Sequence, residues 1–468
     1  MLNFTSPLFF VALALVACGL YILPGRWRAA YLLVLSYGFY AMVSVRFLAL
    51  MVAGSLLAYG IGIGIANARS DSARVRLMLL GVGGLLGGIV VFKIGGAWHG
   101  WLLPLGLSYY SFKLISYVIE VYWDEDSVER DLTLFLSYPA FFPQIISGPI
   151  QRSEPYFQQV RALAARRLDS AQIEEGFRLI VTGLMLKLLV GDRLATLIAG
   201  VDAAPGSFGR IDLLVTIAGY TLQLYADFAG YTNIALGIGK MLGIDGPPNF
   251  NAPFLATNIQ EMWRRWHMSL TTWLTDYLFI PLTMTMRRYG LAGLLLCITI
   301  NMALIGVWHG FTLNYLIFGL MHAVYFSLTM LYLRYISPPR GKKAPPEPRL
   351  RRIVRTAFGM VLTFALMSST QIFFHSARFD QAIGILRQVF GLIPSGARSI
   401  GDIGPGAAET FVICALITVW AGCGAPGARR LSDRIAPVAP RWLQYGVGLF
   451  LLATLTPDSA GSFVYGQF

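Results

Sequence analysis

The sequence predicts an all-α protein that crosses a membrane many times. Hydrophobic residues make up 56% of the chain and charged residues only 13%, with a mean hydropathy of +0.61. That is about half the charged fraction of a soluble chain. Many apolar runs approach or exceed the ~20 residues that span a bilayer as a helix. Lipid leaves backbone polar groups no partner but each other, so runs of this kind fold as helices. One helical domain can account for all 468 residues.

The first run, Leu8 to Leu23, is preceded by no Lys or Arg. It is followed by Arg26 and Arg28 and not by a small-residue cleavage site. It therefore reads as a first span with its N-terminus outside, and not as a signal peptide. Further apolar runs lie near 30–43, 47–65, 77–92, 101–119, 133–150, 177–200, 211–239, 291–307, 311–333, 356–374, 409–421 and 444–456. About eleven to thirteen membrane segments are expected, some of them re-entrant. The glycines of Gly81 to Gly88 suit close helix packing in lipid.

Basic residues gather in short loops at 66–76, 161–168, 338–355 and 427–441. The positive-inside rule accounts for them, and with them for the net charge of +13. A nucleic-acid partner is not needed. The Pro-rich segment 338–355 reads as a cytoplasmic linker between a core, 1–337, and C-terminal membrane helices, 356–468. Contact with anionic lipid headgroups is its alternative role.

Two stretches do not read as simple spans. Ser137 to Ile150 is apolar but broken by Pro139, Pro143, Gly148 and Pro149. Broken backbone at membrane depth needs cover from protein or a wet cavity. Ile259 to Tyr277 carries Trp263, Arg264, Arg265, Trp266 and Trp273, which suits an interfacial helix. Together they suggest a cavity floor on the cytoplasmic side.

The chemistry-bearing residues stand out against this apolar ground. His309 ends the run Ile300 to Trp308. An ionisable residue at membrane depth is costly and by default functional. An imidazole can remain neutral there and accept a proton. His267 follows Trp263-Arg264-Arg265-Trp266, 42 residues earlier, and the spacing does not show whether the two meet. His99 and His375 end apolar runs and read as interfacial. His322 lies thirteen residues beyond His309 and reads as a packing or hydrogen-bonding residue. Asp227, inside a long apolar run, either lines a cavity or pairs with Arg264 or Arg265. Asn301 precedes His309 by eight residues and is a candidate for the same cavity.

Cys18, Cys297, Cys414 and Cys423 lack metal spacing, and neither histidine has a HExxH or a carboxylate at i+3 or i+4, so no metal is expected. No GxSxG elbow marks a serine hydrolase. A lone general base fits best, with histidine deprotonating an alcohol that attacks an activated acyl group. Broken helices and buried polar residues also suit a transporter or flippase whose histidines are structural.

The string Asn249-Phe250-Asn251-Ala252-Pro253-Phe254, followed by Glu261 to Leu270 and by Trp273-Leu274-Thr275-Asp276-Tyr277, resembles the membrane-bound O-acyltransferase superfamily. The resemblance is to its bacterial branch, with the alginate O-acetyltransferase membrane subunit and the teichoic-acid D-alanyl transfer protein. Ser116 to Tyr122, Phe142 to Ile150, Leu224 to Tyr231, Val307 to Gly310 and Phe463 to Phe468 match in the family's order. The resemblance implies re-entrant and interfacial helices around a central tunnel. It makes His309 the catalytic base and His267 the second characteristic histidine, near the cytoplasmic mouth. Trp263, Arg264 and Arg265 would shape the donor mouth, with Trp308, Asn301 and Asp227 completing the substrate-binding set.

It further implies transfer of a small acyl group, acetyl above all, with no bound cofactor. The donor would be cytoplasmic acetyl-CoA or an acylated phosphopantetheine carrier. The acceptor would be a hydroxyl of an exported polysaccharide or of an extracytoplasmic acyltransferase partner, at a bacterial inner membrane. A lipid or protein O-acyltransferase of the same superfamily is the neighbouring alternative. The chain departs from the alginate pattern at Thr275, at Thr283 to Arg288, and at His375, where Arg is common. These departures leave the histidines in place and bear on the polymer and on donor contacts.

Overall fold

A computed structural model describes residues 7–146, 148–167, 169–337 and 347–422, with 446, 448–450, 452 and 454. Among them there is no strand, only an isolated bridge between Phe208 and Arg398. The chain forms two compact units, Met1–Leu184 with Tyr231–Pro248, and Met185–Gly230 with Asn249–Val464.

The first unit contains α1 (Pro7–Ile22), α2 (Arg28–Val43), α3 (Val45–Ala66), α4 (Asp71–His99), α5 (Leu107–Trp123), α6 (Leu132–Ala140), α7 (Ser153–Leu163) and α8 (Ser170–Leu184). Ser44 and Ser70 cap α3 and α4 by accepting from Phe47 N and Ala73 N. The two capped helices pack together and against α5. Within the glycine run, a side chain at Gly81 would crowd Ile61 and Val118, whereas Gly83, Gly87 and Gly88 face open space. Only part of that run therefore serves packing.

The broken stretch after α6 is buried, as its prolines require. Lys113 on α5 donates to Gln144 Oε1 at 2.7 Å and to the Tyr138 carbonyl at 3.3 Å. Gln144 passes the connection to Gln151 at 2.7 Å. The bond to Tyr138 satisfies a carbonyl in the last turn of α6, where the helix leaves its own carbonyls unpaired. Arg28 is buried at the start of α2, where it donates to the Leu163 and Arg166 carbonyls at 2.6 Å.

The second unit begins with a π-helical turn, Met185–Gly191, and α9 (Asp192–Asp202). Then come α10 (Arg210–Met241, its part to Gly230), α11 (Ile259–Trp263), α12 (Met268–Leu274), α13 (Ile280–Thr285), α14 (Gly290–His309), α15 (Leu313–Leu331), α16 (Arg349–His375), α17 (Phe379–Val389) and α18 (Ala407–Gly422). α14 and α15 form an antiparallel hairpin. A Cβ at Gly306 would run into the Tyr315 carbonyl, and one at Gly319 into the Met302 carbonyl. Two glycines thus let the backbones touch, the small-residue packing expected in lipid. α16 runs antiparallel to α15, with His322 against Thr370 and Phe318 against Phe374.

Among the described residues, five helical stretches are long and apolar enough to cross a membrane: Val45–Ala66, Asp71–Gly96, Arg287–His309, Leu313–Ile336 and Arg349–His375. This is fewer than the eleven to thirteen segments expected. Several apolar runs form helices shorter than a span, such as α1 and α5. α10 is long enough, at 32 residues, but too polar, with Gln223 and Asp227 at its centre. Of the segment 338–355, residues 338–346 lie outside the described set, and α16 begins at Arg349. The apolar run 444–456 and the C-terminal Phe463 to Phe468 lie largely or wholly outside it too.

Candidate active site

The site is built in the second unit, where α14 ends. His309 is its last residue and is buried. Trp308, Phe374, Phe318 and Tyr315 surround the imidazole, with ring centroids at 4.6, 4.8, 6.0 and 6.1 Å. The Gly306–Tyr315 contact sets this arrangement, because it fixes the turn of α15 that carries Tyr315 and Phe318. Such a cage excludes water and holds a base in an apolar medium.

His267 reaches the same cage. Its ring lies 6.1 Å from Trp308 on one side and 4.7 Å from Phe228 on the other. Trp308 therefore stands next to both histidines that the sequence singles out. His267 adopts left-handed backbone, with φ +45°, a conformation that side chains other than Gly and Asn rarely take. Asn249 holds the turn. Its carbonyl accepts from Met268 N at 2.9 Å, and its side-chain oxygen accepts from Ser269 Oγ at 2.6 Å. Burial pushes the His267 imidazole far below its ordinary value, to about 3. It is neutral across the physiological range.

The tryptophans of the segment 259–274 face protein: Trp263, Trp266 and Trp273 are buried, and Trp263 meets His322 at 5.0 Å. Tryptophan and arginine clusters read alike at a membrane surface and inside a helical unit. Here Asn258 caps α11 by accepting from Glu261 N at 2.9 Å. Glu261 in turn accepts from the Thr257 amide and hydroxyl at 2.9 Å and from Arg265 at 2.8 Å. Burial alone would raise the Glu261 carboxyl, but these donors hold it below its ordinary range.

The remaining candidates divide. Arg265 is engaged by Glu261 and by the Asn251 carbonyl at 3.0 Å, while Arg264 is exposed. Asp227 pairs with neither arginine. It binds Lys187 at 2.5 Å, and Lys187 also binds Asp192 at 2.7 Å, all three being buried. The π-helical turn Met185–Gly191 carries Lys187, and Asp227 adjoins the Phe228 that packs on His267. Asn301 lies eight residues before His309 on α14, about 12 Å along the axis. Its Oδ1 finds no partner among the described residues. It does not join the cage. His322 donates to or accepts from Thr370 at 3.1 Å, in keeping with a hydrogen-bonding role.

Sequence reasoning passed over Lys187, Asp192, Phe318 and Phe374. Lys187 carries the same signal that marked His309, an ionisable residue inside an apolar run. The aromatic rings carry none, since Phe is common in any membrane helix.

Comparison with known proteins shows the family. The family model described as MBOAT, membrane-bound O-acyltransferase family, matches residues 124–370, which include both histidines of the cage. A probable alginate O-acetylase from Pseudomonas fluorescens is 36% identical over 69% of this chain and 66% of its own length. One from Azotobacter vinelandii is 30% identical over 94% of this chain and 87% of its own. A peptidoglycan O-acetyltransferase from Helicobacter pylori is 27% identical over 84% of this chain and 80% of its own. The chain thus spans about two thirds of the Pseudomonas relative and most of the other two. It belongs to the membrane-bound O-acyltransferase family.

Proposed function

We propose that this protein is a membrane O-acyltransferase that moves a small acyl group, acetyl in the first instance, from a cytoplasmic thioester to a hydroxyl outside. The donor is acetyl-CoA or an acylated phosphopantetheine carrier. The acceptor is an exported polysaccharide or an extracytoplasmic partner that completes delivery. Relatives named for alginate and for peptidoglycan support an extracytoplasmic polymer as the final acceptor.

His309 is the general base of this reading. Its ring nitrogen takes the hydroxyl proton as the alcohol oxygen attacks the thioester carbonyl. The tetrahedral intermediate then collapses, the C–S bond breaks, and the thiol leaves with the proton that His309 returns. Base catalysis of this kind contributes about 10²–10⁴-fold. The observation that carries the reading is the cage itself: a buried imidazole at a helix end, ringed by four aromatic side chains, beside a second, neutral imidazole. The dry cage favours alcoholysis over hydrolysis of the thioester.

The charge distribution supports a direction. Arg287 and Arg288 precede α14, Arg334 follows α15, and Arg349, Arg351 and Arg352 begin α16. The hairpin and α16 are antiparallel, so these arginines share one end. The positive-inside rule makes that end cytoplasmic. His309 is at the other end of α14, about 30 Å away. The donor's flexible arm therefore threads from that end toward His309, where the acceptor meets the acyl group.

The test is transfer from radiolabelled acetyl-CoA, or from an acetylated carrier protein, by purified full-length protein with solubilised membrane components as acceptor. Wild type should transfer label. His309→Ala should lose about 10²–10⁴-fold while remaining folded. The wild-type rate should fall once acid protonates the imidazole, because the protonated ring cannot accept the hydroxyl proton. Retained transfer in His309→Ala would remove the base role. Substrate movement without acyl transfer, tolerant of His309→Gln, would favour a transporter.

A further inference from the structure

The end of α16 opposite its arginines leads directly into α17, and α17 has one apolar face too many. His375 closes α16 and pairs with Asp202 at 2.5 Å, and Arg378, three residues on, pairs with Asp380 at 2.7 Å. Both pairs are open to solvent. Such pairs belong at the water boundary of a membrane and not in its hydrocarbon. α17 starts at Phe379, inside that boundary layer.

At about 100° per residue its side chains fall on three faces. One turns to the protein. Ala382 and Gln388 are buried there, and Ile385 shares a small cavity with Tyr220. A second is polar, with Asp380 and Arg387 exposed. On the third, Phe379, Ile383, Leu386 and Phe390 follow one another at i, i+4, i+7 and i+11. This is a second apolar stripe. Phe390 is 74% exposed, and so is Leu392 just past the helix. A surface helix in water needs one apolar face, turned to the core; a second calls for a second apolar surrounding.

The stripe cannot roll inward. Gln388 Nε2 donates to the Phe208 and Pro205 carbonyls at 2.9 and 3.2 Å, which fixes the rotation of the helix. The C-terminus closes in a Schellman motif. Leu392 N donates to the Arg387 carbonyl at 2.7 Å and Gly391 N to that of Gln388 at 3.1 Å, with Gly391 at φ +72°. The chain beyond is stitched to the loop before α10, with Gly396 N on the Phe208 carbonyl at 3.1 Å and Arg398 N on that of Ser207 at 3.0 Å. Phe390 and Leu392 are thus held outward by paired backbone. A fixed, exposed apolar patch marks a contact surface.

Its neighbours name the contact. Three residues before α17, α16 ends a stretch long and apolar enough to cross a membrane, and the chain continues into α18, which is apolar as well. The segment 376–406 therefore begins and ends on membrane helices, and the apolar phase beside it is lipid. We propose that α17 is an interfacial helix that lies along the membrane surface, its stripe and Leu392 among the acyl chains and Asp380 and Arg387 toward water. The end of α16 that carries Phe374, on the His309 cage, is then set at the lipid–water boundary. The inference rests on the membrane location of α16 and not on acyl transfer.

Spin labelling of the full-length protein in phosphatidylethanolamine–phosphatidylglycerol nanodiscs tests it. Labels enter singly at Phe390→Cys, Leu392→Cys and Arg387→Cys, in a background whose four native cysteines are replaced by alanine. All three positions are exposed, so each labelled protein should keep the thermal midpoint of that background. Oxygen, which concentrates in lipid, should relax the labels at 390 and 392, and a water-soluble nickel chelate should lose its effect there. At 387 the chelate should dominate. In the unsubstituted chain, a photoactivatable diazirine on the acyl chains should mark residues 379–393.

Chelate access at 390 and 392 equal to that at 387 would overturn the proposal, since the stripe would face water. Protection from both probes, with no diazirine adduct, would overturn it as well, since a second copy or another protein would cover the stripe. So would oxygen access without chelate access at all three positions, which would sink the whole helix into the bilayer. If a substitution lowers the midpoint, the diazirine result on the unsubstituted chain decides.

Discussion

His267 and His309 stand beside the same indole, yet they are held by opposite means. His309 sits on regular helix, and its place follows from long-range packing, with α15 drawn against α14 at Gly306 and Gly319. His267 sits on left-handed backbone, and its place follows from hydrogen bonds within one short stretch, chiefly to Asn249. On its far side, Phe228 follows Asp227, which the Lys187 and Asp192 pair anchors. One histidine is thus positioned where two helices pack closely, and the other is backed by a buried charged trio. Similar sequence signals, a histidine after an apolar or aromatic run, conceal different local backbone.

The largest way to break the comparison is at Lys187. Lys187→Met would leave two carboxylates buried without their cation, a loss of about 3–5 kcal/mol. Thermal unfolding of the detergent-solubilised chain should show a large drop in midpoint. Adding Asp192→Asn and Asp227→Asn should recover most of it, because the pair is costly to break and cheap to replace whole. A small drop for the single variant would mean that the trio does not support Phe228 and His267.

A smaller effect separates backbone from side chain at His267. His267→Asn keeps a residue that tolerates left-handed backbone, whereas His267→Val places a β-branched residue there, at about 1–3 kcal/mol. The Asn variant should unfold near wild type and the Val variant clearly below it. If both lose acyl transfer equally while only one loses stability, the imidazole itself is needed. If transfer follows stability, His267 serves the fold.

These differences bear on what could be read from the chain. The histidines were legible because an imidazole in an apolar run has few bland explanations in lipid. The partner of Asp227 was not, because Lys187 lies forty residues upstream and sequence distance says nothing about which helix faces which. Arg265, expected to shape the donor mouth, is paired with Glu261 four residues before it, an i,i+4 pair that helix geometry favours. The burial of the tryptophans of 263–273 was not legible, since amphipathic aromatic residues suit a membrane surface and a crowded interior equally. Five described helical stretches are long and apolar enough to span, and other apolar runs fold into shorter helices, because an apolar run can be buried by other helices as well as by lipid. All-helical architecture, by contrast, followed from composition alone.

The smallest effect is a slope. Burial holds the His267 imidazole near 3, against an ordinary value of 6.5. Between those limits the unfolded chain binds a proton that the native chain refuses. Native stability therefore falls as pH falls from about 6.5 toward 3, by at most about 1.4 kcal/mol per pH unit for this one group. His267→Asn removes the group from both states. Thermal midpoints of wild type and His267→Asn, followed from pH 7.5 to 5, should converge or cross as pH falls, wild type losing more. His309 and all other groups are common to both proteins and cancel in the difference. Parallel curves would mean that the His267 ring charges freely in the folded protein, and that its turn opens to water where the cage of His309 does not.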